Sequence, residues 1–532
     1  MEKNSAAYLF ESVDECPEEV VTEISGRIPD WISGCLLRNG PGKYEFGEHK
    51  FNHWFDGSSI LQKFNISRGQ VTFQSRFLES NTYINNTKTQ RLTVDEFGTT
   101  ATPDPCATRF ERFKSMFFKS SEETDNTNVN ILKYGDCLLA TTDSPKMYLV
   151  STSLRAQKQI SFRKLLSIHL ASAHPHIDYD GVMYISGSSF AGRPKHHLVK
   201  VPPSQKGDEQ ELLSQATILS TIQSRSALNP SYLHSFGMTE NYLIYCETPV
   251  SISLFRVLTS RVTGATVNKA FSYNPDEMAQ FHIIKKSTGE VLPVKFQVKG
   301  LFYFHTINSY EDDNHIVMDV CAYTNFTTEH LFHVSLDTLR SGKWATDSGW
   351  KQHDQRPTRL VFPLRDASKE PPNKNLVTLP NSECRAFCVA ENLVDIDPEK
   401  LLPEGENGLD MPQINYENHN ARKYRYFYGA GLLVNNYFRS SIAKVDVESK
   451  ASTRWRGTSN QHPSEPVFLA RPRPGGSSED DGVVLSTVCD TDPGNRDFLL
   501  VLDAKNLTEI ARAYVPETVR IPYSIHGSYY RI

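Results

Sequence analysis

A unit of strand, tight turn and strand recurs along this chain, and three clear copies of it each begin on a histidine. His174 precedes the turn Asp180-Gly181 and the run Val182-Met183-Tyr184-Ile185. His234 precedes Glu240-Asn241 and Tyr242-Leu243-Ile244-Tyr245. His305 precedes Asp313-Asn314 and Ile316-Val317-Met318-Asp319-Val320. β-branched and aromatic residues favour strands, and Asp, Asn and Gly supply the turns between them. The three histidines stand 60 and 71 residues apart. The 221 residues from His305 to His526 leave room for about three further units. Seven such units would fill most of the 532 residues. This predicts an all-β chain, a seven-bladed β-propeller forming one domain over residues 1–532, with inner strands offering side chains to the central axis. An irregular all-β protein with accidental spacing is the competing arrangement. Helical patterns are few and short, with candidates at 109–119 and 209–219.

The chain has 17 histidines, so position must select the functional ones. His174, His234, His305 and His526 are flanked by apolar or small residues, as buried positions on an axis demand. His176 lies two residues from His174 and shares its face in a strand, so spacing leaves that pair open. Neutral imidazoles favour zinc, copper, iron or nickel over magnesium or calcium. A ligating histidine also needs a partner on its other ring nitrogen, most often a carboxylate or carbonyl. Asp143, Asp410 and Glu465 are the candidate acids, with an ordinary role in turns as the competing reading. His526 lies six residues from the end, so the last strand must be tied into the fold if it is to present a ligand.

Composition narrows the partners. A net charge of -5 gives no basic field to recruit nucleic acid. No apolar run reaches the roughly 18 residues needed to cross a bilayer. The acidic start, with Glu2, Glu11, Asp14, Glu15, Glu18 and Glu19, fits neither a secretory signal nor a mitochondrial presequence. Nine cysteines without a CxxC motif read as free thiols in a reducing compartment, and the expected location is the cytoplasm.

Ordered motifs over nearly the whole chain carry a more specific signal. They include Gly26-Arg27-Ile28-Pro29, Leu36-Leu37-Arg38-Asn39-Gly40-Pro41-Gly42, Phe55-Asp56-Gly57 and Pro103-Asp104-Pro105-Cys106. They continue with Ala173-His174-Pro175-His176, His234-Ser235-Phe236-Gly237, Asn375-Leu376-Val377 and Pro463-Ser464-Glu465-Pro466. The set ends at Glu479-Asp480-Asp481-Gly482 and His526-Gly527. Together they resemble the carotenoid cleavage oxygenase family, in its animal branch of β-carotene oxygenases and the retinal-pigment-epithelium retinoid isomerohydrolase.

The resemblance implies a seven-bladed propeller with a few short helices capping the metal-bearing face. It implies one Fe(2+) per chain on His174, His234, His305 and His526, and it selects His174 over His176. Three acids stand behind those ligands. Molecular oxygen is the implied co-substrate, and the implied reaction cuts a carotenoid or apocarotenoid double bond into two carbonyl products. Phe55, Phe97 and Thr142 match positions near the substrate and the open iron site. The family carries glutamates where Asp143 and Asp410 stand. An aspartate is shorter by one bond, about 1.5 Å, so direct contact with its histidine is expected to need a backbone shift or a bridging water.

An apolar substrate implies peripheral membrane contact. The segment 103–120 is the candidate, with Cys106 at a lipid-attachment position and Phe110, Phe113 and Phe117 interleaved with Arg112 and Lys114. Two other functions would use the same frame: a retinoid isomerohydrolase acting on retinyl esters without oxygen, and a carotenoid-binding protein without turnover. Thr142-Asp143-Ser144-Pro145 departs from the isomerohydrolase pattern.

Overall fold

The computed structural model describes residues 5–103, 105–106, 123–203, 211, 213–324, 326–329, 331–342, 354–365, 374–404, 406, 408–433, 436–472 and 478–531. Seven sheets of four to six strands, almost wholly antiparallel, account for most of them. Each of these sheets is one blade, and the chain builds them outward from the axis and largely in order, except that Arg385–Ala390 and Leu393–Asp397 return from the fifth blade to edge the fourth.

The first blade contains Gly34–Lys43, Ser58–Ser67 and Gln70–Phe77, and the second runs from Asn130–Tyr134 to Ala156–Ser161. The third has Leu170–Ala171 and His176–Ile177 innermost and ends at Thr217–Gln223. The fourth begins at Gly237–Met238, the fifth at Phe302–Asp312 and the sixth at Leu409–Ile414. The seventh starts with Gln461–Pro463 and Val467–Ala470 and reaches Glu509–Tyr514. Several inner strands of neighbouring blades touch, which helps form the ring around the axis.

Both ends of the chain close the ring. The last strand, His526–Arg531, pairs antiparallel with Gly34–Lys43 and becomes the innermost strand of the first blade. Glu23–Gly26 pairs with Glu509–Tyr514 at the outer edge of the seventh. Gly527 shows how tight this closure is: a Cβ there would sit 1.9 Å from the Leu37 carbonyl oxygen, so only glycine lets the strand lie so close.

Local chemistry sets the turns. In the fifth blade Asp313 and Asn314 hold φ of 39° and 59°, the two left-handed positions of a two-residue hairpin, and Asp312 pairs with His315 across it. Gly181, at φ 78°, follows the same logic in the third blade. The main core lies between blades, where Leu243, Ile244, Phe281, Val317, Met318 and Val361 are all essentially buried. Each such side chain contributes on the order of 1.5–3 kcal/mol on leaving water.

The helix expected at 209–219 does not extend over that whole stretch: Glu211 is helical, residues 209, 210 and 212 lie outside the described residues, and the second half takes another form. Leu213–Gln215 is one 3₁₀ turn, and Thr217–Gln223 is a strand paired with Lys195–Val201. Its β-branched residues Thr217, Ile218, Thr221 and Ile222 suit a pleated surface, and tertiary pairing overrides the weak helical pattern. The 109–119 candidate lies outside the described residues. Short helices do occur, among them Asn81–Thr89 and Leu254–Thr263. All nine cysteines are free thiols.

Candidate metal centre

Because inner strands or the turns leading into them face the axis, single residues from separate blades meet there. His174 sits just before His176–Ile177, His234 just before Gly237–Met238, His305 within Phe302–Asp312, and His526 opens the final strand. One ring nitrogen of each lies within 4.8 Å of the other three. His174 Nε2 is 2.8 Å from His234 Nε2, and His305 Nε2 is 3.2 Å from His526 Nε2. His176 turns away from this cluster. Its Nε2 meets the Phe236 carbonyl at 3.0 Å, and its Nδ1 meets the Tyr416 hydroxyl at 3.2 Å.

Three of the four rings are held from behind by acids. Asp143 Oδ2 is 2.6 Å from His234 Nδ1, Asp410 Oδ1 is 2.6 Å from His305 Nδ1, and Glu465 Oε1 is 2.9 Å from His526 Nδ1. Both aspartates therefore reach their histidines directly, by the first of the two routes expected, a local departure of the backbone from a regular strand. The backbone supplies the missing reach. Register shifts between Asp410 and Gln413, where Met411 takes φ of 49°, and such a bulge re-aims a side chain. Asp143 stands in the bend between Cys137–Thr141 and Lys146–Val150, free of the strand's flat path.

Further partners hold the acids ionised. Burial raises the Asp143 carboxyl, but the charge and hydrogen bond of His234, with donation from Tyr232 and the Ala173 N–H, outweigh it and leave it below its ordinary value. Burial likewise opposes ionisation of Glu465. His526, Arg38 and Gln413 overcome it and bring that carboxyl down to about 2. Asp410 accepts from the Tyr323 hydroxyl at 3.0 Å and the Met411 N–H at 2.9 Å.

This network fixes where the ring protons are. An acceptor behind Nδ1 places the proton there and leaves Nε2 as a bare lone pair. The Nε2 lone pairs of His305 and His526 then face each other at 3.2 Å. Two lone pairs at that distance repel, and a cation held between the four nitrogens reverses the sign. Burial and the neighbouring imidazoles push His174 well below its usual value, and burial brings His526 to about 4 against the pull of Glu465, so both rings are neutral donors at pH 7. The donor set fits a transition-metal ion.

The centre opens into a cavity of about 910 Å³. Phe55, Phe97 and Thr142 line it together with His234, His305 and His526. Aromatic rings form a continuous wall: Phe55 to Phe97 at 6.2 Å, Phe97 to Phe332 at 5.9 Å, Phe332 to Phe304 at 5.8 Å and Phe304 to His234 at 5.2 Å between ring centres. This tilted and edge-on packing is apolar, which suits a long hydrocarbon.

Cys106 is exposed. Phe110, Arg112, Phe113, Lys114 and Phe117 lie outside the described residues. The sequence reading missed Tyr232, Tyr323, Arg38 and Gln413. Tyr232 stands two residues before His234, so strand alternation signals it, and Arg38 lies inside a quoted motif. Tyr323 and Gln413 carry no local mark.

A propeller that converges four imidazoles on its axis, with an acid behind three of them, defines a propeller protein with a four-histidine site that fits a metal ion. A family model described as retinal pigment epithelial membrane protein matches residues 9–531. Carotenoid-cleaving dioxygenase, mitochondrial, from Mustela putorius furo is 39% identical over 529 residues, covering 98% of this chain and 96% of that protein. Its Homo sapiens counterpart is 38% identical over 537 residues, covering 98% and 90%. Among solved structures, a Synechocystis apocarotenoid oxygenase mutant superposes with a TM-score of 0.78 at 22% identity over 99% of both chains. A cobalt-substituted form gives 0.76 at 21% identity, again over 99% of both. The chain belongs to the carotenoid oxygenase family, the one that includes the retinal pigment epithelial membrane protein.

Proposed function

We propose that this chain is a non-haem Fe(2+) dioxygenase that cleaves a double bond of a carotenoid or apocarotenoid to carbonyl products. The observation that carries the reading is the coupling of two features: four imidazoles converge on one point, and that point opens into a 910 Å³ cavity walled by aromatic rings. The family's named dioxygenases support it. His174, His234, His305 and His526 would hold one iron per chain, and the iron would supply the activation of dioxygen. Asp143, Asp410 and Glu465 keep the proton on Nδ1 of three ligands and fix their ring planes. The aromatic wall excludes water and aligns the polyene. Its ring faces can stabilise positive charge developing along the chain. Thr142, on the cavity wall beside Asp143, borders the reacting end.

Membrane contact belongs to the same proposal. No described helix is long and apolar enough to cross a membrane. The helix Leu254–Thr263 presents Phe255, Leu258 and Val262 at 69%, 80% and 55% exposure, spaced to share a face, and Leu254, Val257 and Leu258 also line the cavity. An exposed apolar face at the cavity wall suits a lipid surface that delivers an insoluble substrate. The segment 103–120, with Arg112, Lys114 and its phenylalanines, is a second candidate for membrane contact on its sequence alone, with Cys106 as its lipid-attachment point. We place the protein on a cytoplasmic membrane surface as one domain. The relatives' names specify mitochondria, and cell fractionation decides between the compartments.

The test is anaerobic purification, metal analysis and incubation with β-carotene in detergent, with and without oxygen. Oxygen-dependent retinal or apocarotenal at one iron per chain is expected. Iron without oxygen-dependent product, together with retinol released from retinyl ester, would replace the dioxygenase by an isomerohydrolase. Neither iron nor product would leave a binding protein.

A further inference from the structure

The cavity occupies one end of the propeller axis. Its wall includes Leu170, Tyr232, Phe304 and Ile525, each of which precedes the histidine ligand of its blade along the chain. Residues that follow the ligands meet a different segment, 415–424 of the sixth blade, between Leu409–Ile414 and Tyr426–Leu433. The Asn420 amide donates to the Ile177 carbonyl of the third blade at 2.9 Å, and Arg422 pairs with Glu240 of the fourth at 2.7 Å. Asn308 of the fifth donates to the His419 and Arg422 carbonyls and accepts from the Ala421 N–H. Arg531 of the first lies 3.6 Å from Glu417, and Asn415 donates to the Glu479 carbonyl of the seventh. A segment this short reaches five other blades only by lying across the axis, on the side of the ligands away from the cavity.

That side of the centre is polar. His234, His305 and His526 line the cavity and are buried, whereas His174 does not line it and yet is partly exposed. His176 and Thr306, also partly exposed, converge on the Phe236 carbonyl just beyond His174. Tyr416 closes this space from the crossing segment. His176 Nε2 donates to the Phe236 carbonyl, so its Nδ1 is a bare acceptor for the Tyr416 hydroxyl at 3.2 Å, and the hydroxyl oxygen accepts from the Ile177 N–H at 3.3 Å. The closure is lightly held. Tyr416, Glu417, Asn418 and Arg422 are exposed, and Ala421 takes φ of 61°, a left-handed position unfavourable to a residue with a Cβ. A segment tied down by exposed polar contacts opens more readily than a core strand.

We infer that the 415–424 strap is a gate, latched by Tyr416, through which the metal ion enters and leaves the axis. The inference rests on the metal-centre reading. A hydrated cation entering through the aromatic cavity sheds its water where no donor replaces it, at a high desolvation cost. At the strap end, hydroxyl, carbonyl and imidazole groups replace that water stepwise.

The experiment follows Co(2+) uptake by the apoprotein and Co(2+) release from the loaded protein to a chelator, read by the absorbance of the bound ion. It compares the wild type with Tyr416→Phe and Arg422→Gln. A gate changes the barrier and not the end states, so each variant should speed uptake and release alike, by up to about tenfold for one lost hydrogen bond, with Kd unchanged. Unchanged rates overturn the inference. Faster release with unchanged uptake, and so weaker binding, also overturns it, because the strap would then only hold the His174 strand in place. Arg422 is exposed, so Arg422→Gln decides the matter if Tyr416→Phe does not fold. A wild type that takes up no cobalt would instead sink the metal-centre reading itself.

Discussion

Placing a glutamate at position 410, the residue that the family resemblance implies there, should weaken the metal centre. The carboxylate of Asp410 already meets His305 Nδ1 at 2.6 Å, with Tyr323 and the Met411 N–H on its oxygens. The bulge with Met411 at φ 49° brings the short side chain to that distance, and Asp410 is only 4% exposed. Asp410→Glu adds one bond, about 1.5 Å, where there is no slack. The carboxylate must leave its rotamer, at about 0.5–1.5 kcal/mol, or push the packed surroundings aside, at about 1–3 kcal/mol. His305 then tilts or loses its partner. Disturbing such a contact lowers metal affinity about 10- to 100-fold, which equals about 1.4–2.8 kcal/mol. The assay is competition between the apoprotein and a chelator for Fe(2+) under anaerobic conditions, with a melting curve to confirm folding. An Asp410→Glu variant that binds iron as tightly as the wild type, or more tightly, would refute the claim that the bulge compensates for the shorter acid.

Other expectations follow from single contacts. Deleting Ser524 to Ile532 removes His526 and the innermost strand of the first blade, so metal content measured by elemental analysis should fall to background. Tyr232→Phe removes the hydroxyl that donates to Asp143 at 2.6 Å and should cost about 1 kcal/mol in denaturant titration, with a few-fold weaker iron binding. Phe255→Glu with Leu258→Glu should abolish co-sedimentation with liposomes while leaving iron content intact, and unchanged sedimentation would remove the docking face. His53 gives a pH signature. Burial brings it to about 4, its Nδ1 accepts from the Phe55 N–H, and its Nε2 faces the Leu331 carbonyl, so the folded ring is neutral. The unfolded chain takes up this proton from about pH 6.5 downward, while the folded one resists until about 4. Its share of stability therefore falls across that window by on the order of 3 kcal/mol, and His53→Gln should lessen but not remove the loss in denaturation measured at pH 7 and pH 4.5, because other buried rings such as His526 titrate over the same range.

What the sequence settled by itself is what periodicity and turn chemistry express locally. Asp313-Asn314 encodes a hairpin because few other residues accept two left-handed positions in a row. The repeat of such units points to blades, and blades to an axis, so His234, His305 and His526, together with either His174 or His176, could be singled out among 17 histidines as candidates before any contact was visible. The choice of His174 over His176 needed the family resemblance, because strand alternation puts both on one face. The structure separates them: His176 begins a paired strand and turns to Phe236 and Tyr416.

Only the tertiary structure decided what depends on residues brought together from distant positions. Asp410 meets His305 across two blades by way of a bulge, and a bulge is set by how two strands register, not by the composition of either. Tyr323 and Gln413 carry no local mark because their role exists only once neighbouring strands pack. The strand at Thr217–Gln223 is chosen by its pairing with Lys195–Val201, against a local pattern that pointed to helix.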